Sequence, residues 1–250
     1  MKNHLVDYIL HLADNALILG QRNAEWCGHG PVLEQDIAIT NISLDLIGQS
    51  RNFYQYAAQI IGNESDEDKL AFLRNEREFR NCLLVELPKG DWAQTILRQF
   101  FFSAYQQLLF TELQKCNDKQ IAAIATKSLK EVAYHLRWSS EWVIRLGDGT
   151  EESHQRMLDA IEALWRYTGE LFISADYEIQ NANAGIGIDA CLLKPQWEEK
   201  VKEIFAEATL PYPSKSYFQT GGKEGKHTEH LGYILAEMQY MQRVFPGSEW

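Results

Sequence analysis

Residues 34–61 read EQDIAITNISLDLIGQSRNFYQYAAQII and contain no proline. A stretch of this length without a strong helix breaker predicts one long helix over 34–61, ended by Gly62 and Asn63. Its apolar residues fall on most sides of the helix: Ile37, Ile39, Ile42, Leu44, Leu46 and Ile47. The pattern predicts that this helix is central in the fold.

The rest of the chain contains further segments whose apolar residues repeat at helical spacing, separated by clusters of glycine and proline. We expect helices over 5–23, 91–115, 118–146, 150–177, 196–208 and 228–244, short helices around 66–80, and a loop at 181–189. Asp91 and Thr150 are expected to cap two of them. The 91–115 segment carries an aromatic stripe, interpreted as core: Trp92, Phe100, Phe101, Phe102, Tyr105 and Phe110. The chain is therefore predicted to be an all-α bundle in one domain, 1–250, with 178–250 a C-terminal extension packed on it.

The composition of the chain limits the ligands and the cellular location that we expect for the protein. The net charge of −11 argues against binding to nucleic acid or to an anionic membrane surface. Basic residues in 69–80 are interleaved with acids, so we expect a solvated or interface surface there. The four cysteines are widely spaced, which indicates reduced thiols in an intracellular protein. No apolar run reaches the roughly 18 residues of a membrane span, and no secretory pattern is present, so we expect a soluble, cytoplasmic protein.

Large helical bundles often hold a carboxylate-bridged di-iron centre, which requires a defined set of ligand residues in the sequence. It takes one Glu or Asp from each of two helices and a Glu-x-x-His pair from each of the other two. No histidine lies between His29 and His135, so the helix over 34–61 has no imidazole. The helix over 91–115 has no carboxylate between Asp91 and Glu112. The sequence therefore predicts that no complete di-metal centre, no catalytic residue and no cofactor site is present in this chain.

Polar residues nevertheless remain at positions where ligands would lie. Asn41, Asp45 and Gln49 follow one another at four-residue spacing on the central helix, and Glu131 and His135 do so on the apolar face of 118–146. One interpretation is a degenerate metal site that holds a single weak cation. The other is a vestigial buried cluster held by hydrogen bonds, since buried polar groups must find partners. The second is favoured, because no neighbouring acids complete a coordination shell.

Three further histidine-containing motifs are interpreted as structural. Glu151-x-x-His154 falls in the first turn of a helix, where acids complement the helix dipole. The segment 224–230, EGKHTEH, has two histidines and two acids, but the glycines around it predict a flexible loop that serves as a helix cap or as a contact between subunits. Cys27 and His29 lie in a glycine-rich turn without a third orienting group.

Six stretches together resemble the structural C-subunit family of the bacterial phenylacetyl-CoA epoxidases, over nearly the whole chain. They are AEWCGH (24–29), NISLDLIGQSRN (41–52), DKLAFLRNEREF (68–79), KEVAYHLR (130–137), TGGKEGKHTEHLG (220–232) and LAEMQYMQRV (235–244). The resemblance implies a ferritin-like fold. It also implies a complex in which a related subunit holds the di-iron centre and binds phenylacetyl-CoA. A flavin and iron–sulfur reductase would supply electrons from NADPH. The family assigns no catalytic residue to its structural member, which pairs with the catalytic one and stabilises it.

Three hypotheses follow from the sequence. The first is a non-catalytic oxygenase subunit whose partners are a di-iron catalytic subunit and other subunits of the complex, with a homo-oligomer of the isolated chain left open. The second is an independent ferritin-like metalloprotein with a degenerate site at Asp45, Glu131 and His135. The third is a helical interaction protein outside this pathway. The sequence leaves the partner-facing helices and the oligomeric state open.

Overall fold

Four long helices form the centre of the computed structural model, which describes residues 2–213 and 217–248. In chain order the helices are α1 (Lys2–Ala24), α2 (Leu33–Ile61), α3 (Glu67–Phe72), α4 (Leu83–Glu86), α5 (Trp92–Leu113), α6 (Lys119–Gly147), α7 (Glu151–Leu164), α8 (Asp176–Asn183), α9 (Lys194–Glu207), α10 (Glu229–Met238) and α11 (Tyr240–Val244). α1 pairs with α2 and α5 with α6, while α2 and α6 join the two pairs. These ranges contain no β-strand, so the predicted all-α, ferritin-like four-helix bundle is confirmed. None of the helices described is both long and apolar enough to cross a membrane.

The ends of the long helices follow local sequence signals. The Asp91 carboxylate accepts a hydrogen bond from Gln94 N at 3.0 Å, and the Thr150 hydroxyl accepts one from Ser153 N at 3.1 Å. Each side chain satisfies a backbone donor that the first helical turn leaves unpaired. α2 ends at Gly62, whose φ of 70° lies in the left-handed region that favours glycine. Both predicted caps and the predicted end of α2 are confirmed.

The aromatic stripe of α5 extends the core beyond the four-helix bundle. Phe101 is fully buried, and its ring centroid lies 5.7 Å from that of Trp165 and 5.6 Å from that of Trp197. The Trp197 indole N–H donates to the Phe101 carbonyl at 2.9 Å. α9 and the segment after α7 therefore pack on the outer side of α5 through aromatic rings. The interpretation of this stripe as core is confirmed.

α2 is less central than its apolar sequence predicts. Its inner side is buried against α1 and α6, but Leu33, Ile37 and Leu44 are 72%, 52% and 61% exposed. A helix repeats every 3.6 residues, so apolar residues on all sides always leave some pointing outward unless a further element covers them. No described element covers this side of α2.

The prediction of a continuous helix over 150–177 is correct as far as the end of α7 and wrong beyond it. The chain instead forms two 3-10 turns, Trp165–Tyr167 and Gly169–Phe172, before α8 begins. A Cβ atom on Gly169 would lie 2.1 Å from the Phe218 ring, so the returning C-terminal segment packs directly on this backbone. A straight helix would put side chains where that ring lies. Tertiary packing therefore overrides the helical pattern of the sequence.

The C-terminal third packs on the bundle through several separate helices. α8 lies against α1, α9 against α5 and α6, and α10 against α4. The predicted start of this extension, residue 178, falls inside α8, and the loop predicted at 181–189 begins only after α8 ends. The helix predicted over 228–244 divides into α10 and α11 at Gln239, whose buried amide donates to the Ala71 and Arg74 carbonyls at 3.2 and 3.0 Å.

We expect Phe101→Ala to lower the free energy of unfolding by about 3–5 kcal/mol, because it removes a fully buried ring where three elements meet. Denaturant unfolding followed by circular dichroism measures the change. Tyr217→Ala is the matched control, since that ring is 83% exposed and its loss should cost less than about 0.5 kcal/mol. Equal losses for the two variants would contradict the role assigned to the α5 stripe.

Candidate functional site

The pair Asp45 and His135 joins α2 to α6 across the seam between the two helices. The His135 Nε2 atom lies 3.0 Å from Asp45 Oδ2, at hydrogen-bonding distance. The imidazole is fully buried, whereas the Asp45 side chain is 36% exposed and reaches the surface. His135 Nδ1 is buried and has no hydrogen-bond partner in the described part of the protein.

A chain of amides continues this cluster into the bundle. Gln49 Nε2 donates to Glu131 Oε2 at 2.9 Å, and Gln106 Nε2 donates to Gln49 Oε1 at 3.0 Å. Four of the five residues singled out from the sequence are therefore brought into two neighbouring hydrogen-bonded groups on α2 and α6. Gln106 of α5 is an additional member that the sequence reasoning missed. Gln106 lies three residues after the buried Ser103 and seven after the buried Gln99, on an otherwise aromatic helix. This spacing places the three polar residues on one side of α5 and could have identified Gln106 from the sequence.

Asn41, the fifth residue of the predicted cluster, is exposed, so its assignment to a buried cluster is wrong. Each step of four residues on an α-helix advances the side chain by about 40° beyond a full turn. From Asn41 to Gln49 the direction therefore rotates by about 80°. Gln49 points into the bundle and Asn41 points to solvent.

The donor set of this cluster does not fit a carboxylate-bridged di-iron centre. It consists of two carboxylates, one imidazole and two neutral amides. Such a centre needs carboxylates from four helices and two Glu-x-x-His pairs. The residue three after Asp45 is Gly48, and the residue three after Glu131 is Tyr134, so neither carboxylate belongs to such a pair. In the described ranges, no three His, Cys, Asp or Glu side chains form a group that could hold a metal ion.

The Glu-x-x-His motif at 151–154 has the structural role that the sequence indicates. It forms the first turn of α7, directly after the Thr150 cap. The His154 Nδ1 atom lies 2.7 Å from the Gly147 carbonyl at the end of α6. This histidine therefore joins two consecutive helices, and the helix-start interpretation is confirmed.

The segment 224–230 is anchored, and the prediction of a flexible loop is wrong. His227 is buried, with Nδ1 2.8 Å from Glu86 Oε2 and Nε2 3.1 Å from the Phe79 carbonyl. Both ring nitrogens face acceptors, so both must donate, which requires the imidazolium form. Burial opposes that charge, but the hydrogen bond and charge of Glu86 outweigh it and raise the pKa of His227. The Thr228 side chain caps α10 as expected, accepting from His230 N at 3.4 Å.

A buried ion pair between Asp14 of α1 and Arg74 corrects the prediction of a solvated or interface surface over 69–80, because Arg74 belongs to the core. Arg74 Nη2 contacts Asp14 Oδ1, and Nη1 lies 3.1 Å from Asp14 Oδ2. Asp14 also accepts from the Tyr54 hydroxyl at 2.5 Å and from Arg80 N at 2.7 Å. Burial opposes the charge of Arg74, but Asp14 outweighs it and raises the pKa of the guanidinium.

A second buried ionic group holds the C-terminal segment in place. Lys223 Nζ lies 3.0 Å from Glu178 Oε2 and 3.1 Å from the Ile173 carbonyl. Burial favours the neutral form of Glu178, but the charges of Lys223 and His11 outweigh it and lower the pKa of Glu178. The buried Glu170 carboxylate accepts backbone N–H donors from Leu83 at 2.7 Å and Gly221 at 2.8 Å. These carboxylates join segments more than 40 residues apart in sequence.

The buried charges therefore hold distant elements together. Asp14, Glu86, Glu178 and Lys223 each already contact an oppositely charged group within the core. This network of buried ion pairs was not predicted from the sequence. Asp14 lies in the middle of an apolar helix, which indicates that a buried cationic side chain must contact it.

We expect Asp14→Asn and Arg74→Met each to lower the free energy of unfolding by about 3–5 kcal/mol, since each leaves an uncompensated buried charge. The double variant should cost clearly less than the sum, because it removes both charges together. Denaturant unfolding of the three variants measures the coupling. Lys200→Met breaks the exposed pair with Glu203 and, as the control, should change the free energy by less than about 1 kcal/mol. Additive effects of the two core variants would contradict the pairing.

We expect His227→Gln to destabilise the protein in a pH-dependent manner. The pKa of His227 is raised in the folded protein, so its stabilising contribution is fully present below the unfolded value of about 6.5 and is lost as pH rises through the folded value. The difference in unfolding free energy between wild type and variant should therefore shrink as the pH is raised from about 6 to about 9. The exposed His29→Gln is the control and should show no such trend. A difference that grows with rising pH would refute the imidazolium assignment.

Two comparisons with known proteins identify the family of this chain. The family model of the phenylacetic acid catabolic proteins matches residues 1–250. The chain is also 53% identical over 248 residues to the C subunit of the 1,2-phenylacetyl-CoA epoxidase of Escherichia coli (strain K12), and the match covers 99% of this chain and 100% of that protein. A full-length family match and an identity of this size lead to one conclusion: the chain belongs to the phenylacetic acid catabolic protein family.

Proposed function

We propose that this chain is the non-catalytic structural subunit of a phenylacetyl-CoA 1,2-epoxidase in aerobic phenylacetate degradation. It pairs with a di-iron catalytic subunit and stabilises that subunit's fold. The proposal includes a cytoplasmic location and the absence of any cofactor in this chain, with the di-iron centre in its partner.

The observation that carries this proposal is the composition of the polar layer between α2, α5 and α6. Gln49 and Gln106 use their amides to bind each other and Glu131, at positions where a di-iron bundle needs carboxylates. His135 is tied to Asp45. The layer between α2, α5 and α6 therefore consists of hydrogen bonds between the chain's own side chains.

The relative from Escherichia coli supports the assignment to a complex. That protein is described as one subunit of 1,2-phenylacetyl-CoA epoxidase, and it aligns with this chain over its entire length. A subunit that has no metal ligands of its own contributes to the complex by binding the folded form of its partner. Binding to the folded form alone stabilises the partner by mass action.

Co-expression of this chain with a catalytic subunit of the same family tests the proposal. We expect a stoichiometric complex in size-exclusion chromatography with light scattering, and more soluble catalytic subunit than when it is expressed alone. Elemental analysis should find about two iron atoms per catalytic subunit in the complex and far less than one per chain in the isolated protein.

The competing metalloprotein hypothesis predicts the opposite distribution of iron. Near-stoichiometric iron in the isolated chain, lost in His135→Ala but kept in the control His154→Ala, would replace the proposed function with that hypothesis. His154 is a suitable control because it lies at the start of α7, outside the polar layer. A chain that stays alone during co-expression would also refute the proposal.

A further inference from the structure

The end of the described chain, residues 226–244, is attached to the bundle by few buried apolar groups. α10 packs on α4 and on the 3-10 turn Glu76–Glu78. It buries Leu231, Ile234 and Leu235, whereas none of the described residues of α11 is buried. Elements with few buried apolar side chains open locally at a lower free energy than the core of a protein. The C-terminal segment, as we call residues 226–244, therefore depends strongly on its polar contacts.

The Glu86 carboxylate of α4 is a polar anchor of the C-terminal segment. Its Oε1 atom accepts hydrogen bonds from Thr228 N at 2.6 Å and from the Thr228 hydroxyl at 2.8 Å. Its Oε2 atom lies 2.8 Å from His227 Nδ1 and accepts from Asn81 Nδ2 at 2.8 Å. Four donors around one carboxylate favour its charged form. Glu86 is completely buried, and within the described ranges its side chain forms an ion pair with His227 alone.

Loss of one proton from His227 would weaken this anchor. The His227 Nε2 atom lies 3.1 Å from the Phe79 carbonyl, so both ring nitrogens face oxygens that accept hydrogen bonds. A neutral imidazole carries only one N–H, so in one of the two contacts a nitrogen lone pair would face an oxygen lone pair. The Glu86 charge would also lose the cation with which it pairs inside the core. Deprotonation therefore weakens two contacts of the same segment.

Charged and titratable groups surround His227 on every element that packs against it. They are Glu86 of α4, Asp14 and Arg22 of α1, Glu76, Arg77 and Arg80 of the connection between α3 and α4, and Lys226, Glu229 and His230 of the segment itself. Asp14 is paired with Arg74, and Arg22 with Glu25. Burial lowers the pKa of His227, but the contact with Glu86 and the charge of Asp14 raise it above its ordinary value.

The contacts that hold the preceding part of the chain do not involve His227. Lys223 is paired with the buried Glu178 at 3.0 Å, and the Glu170 carboxylate accepts from Gly221 N at 2.8 Å. These groups keep the chain up to Lys223 on the bundle when His227 changes its charge. Opening therefore begins after Lys223 and is limited to the C-terminal segment.

We propose that His227 is a pH-sensitive switch: loss of its ring proton releases the C-terminal segment from the bundle while the four long helices stay folded. The released segment exposes Leu231, Ile234 and Leu235, which are buried in the closed state. The switch is a property of the isolated chain and does not depend on the proposed function.

The direction of the pH effect follows from the two states of the imidazole. In the released segment His227 has its ordinary pKa of about 6.5, whereas in the closed segment its pKa is raised. Below about pH 6.5 both states hold the proton, and opening does not depend on pH. Between about pH 6.5 and the pKa of the closed state, opening releases one proton, so its equilibrium constant rises about tenfold per pH unit.

Hydrogen–deuterium exchange of the full-length chain, followed by mass spectrometry from about pH 6 to about pH 9, tests the switch. Peptides that cover 229–244 should exchange up to about tenfold faster per pH unit above about pH 6.5, after correction for the intrinsic effect of pH on amide exchange. Peptides from α5 and α6 should show no such acceleration. An equal loss of protection in all helices would mean that the whole protein unfolds, and the proposal would be overturned.

His227→Gln removes the titrating group and leaves a polar side chain in its place. The same peptides should exchange faster than in the wild type at about pH 6.5, and their acceleration with pH should be absent. His154→Gln is the matched control and should keep the wild-type response, because His154 also joins two elements, with Nδ1 2.7 Å from the Gly147 carbonyl.

Two results would overturn the switch. One is a pH response of the C-terminal segment that persists in His227→Gln, which would assign the response to another group. The other is constant protection of the segment in the wild type across the whole pH range. This second measurement needs no variant, so it decides the question even if His227→Gln does not fold.

Discussion

The structure depends on one constraint: three carboxylates buried in its core each need a cationic partner from a distant part of the chain. Asp14 in the centre of α1 is neutralised by Arg74, which lies in the connection between the two helix pairs. Glu178 of α8 is neutralised by Lys223, and Glu86 by His227. An unpaired charge in such a core would be strongly unfavourable, so these contacts fix where the connection and the C-terminal segment must lie. Helix packing alone would allow several arrangements of these segments.

The same constraint explains the centre of the bundle. A ferritin-like bundle that holds two metal ions has inward carboxylates whose charge the metals neutralise. Without those ligands, the polar side chains of α2, α5 and α6 bond to one another through neutral amides and through the Asp45–His135 pair, while Gln106 Oε1 and His135 Nδ1 have no hydrogen-bond partner in the described part of the chain. Gln49 both donates, to Glu131, and accepts, from Gln106, so its amide extends a hydrogen-bonded chain through a buried layer without adding net charge. The oxygen chemistry of the proposed complex then belongs to another polypeptide.

The outer side of α2 is not optimised for the stability of the isolated chain. Leu33, Ile37 and Leu44 would be buried in an ordinary monomeric bundle, and Gly48 would be better replaced by alanine. Four unfavourable choices on one stripe of one helix are difficult to explain by the isolated fold.

The sequence by itself determined the long helices, their caps and the missing ligand pattern. Each depends on residues close together in the chain: the 3.6-residue repeat, the Asp91 and Thr150 side chains beside the donors they satisfy, and the spacing of His and Glu. Only the tertiary structure decided where the helix after Thr150 ends, because Phe218 packs on Gly169 from a distant part of the chain. It also decided that Arg74 and His227 are buried, that Gln106 belongs to the polar layer, and that Asn41 does not. These outcomes depend on which distant segments of the chain come into contact. The free energy of a buried charge or a filled cavity depends on those distant neighbours, and a local pattern of residues does not contain them.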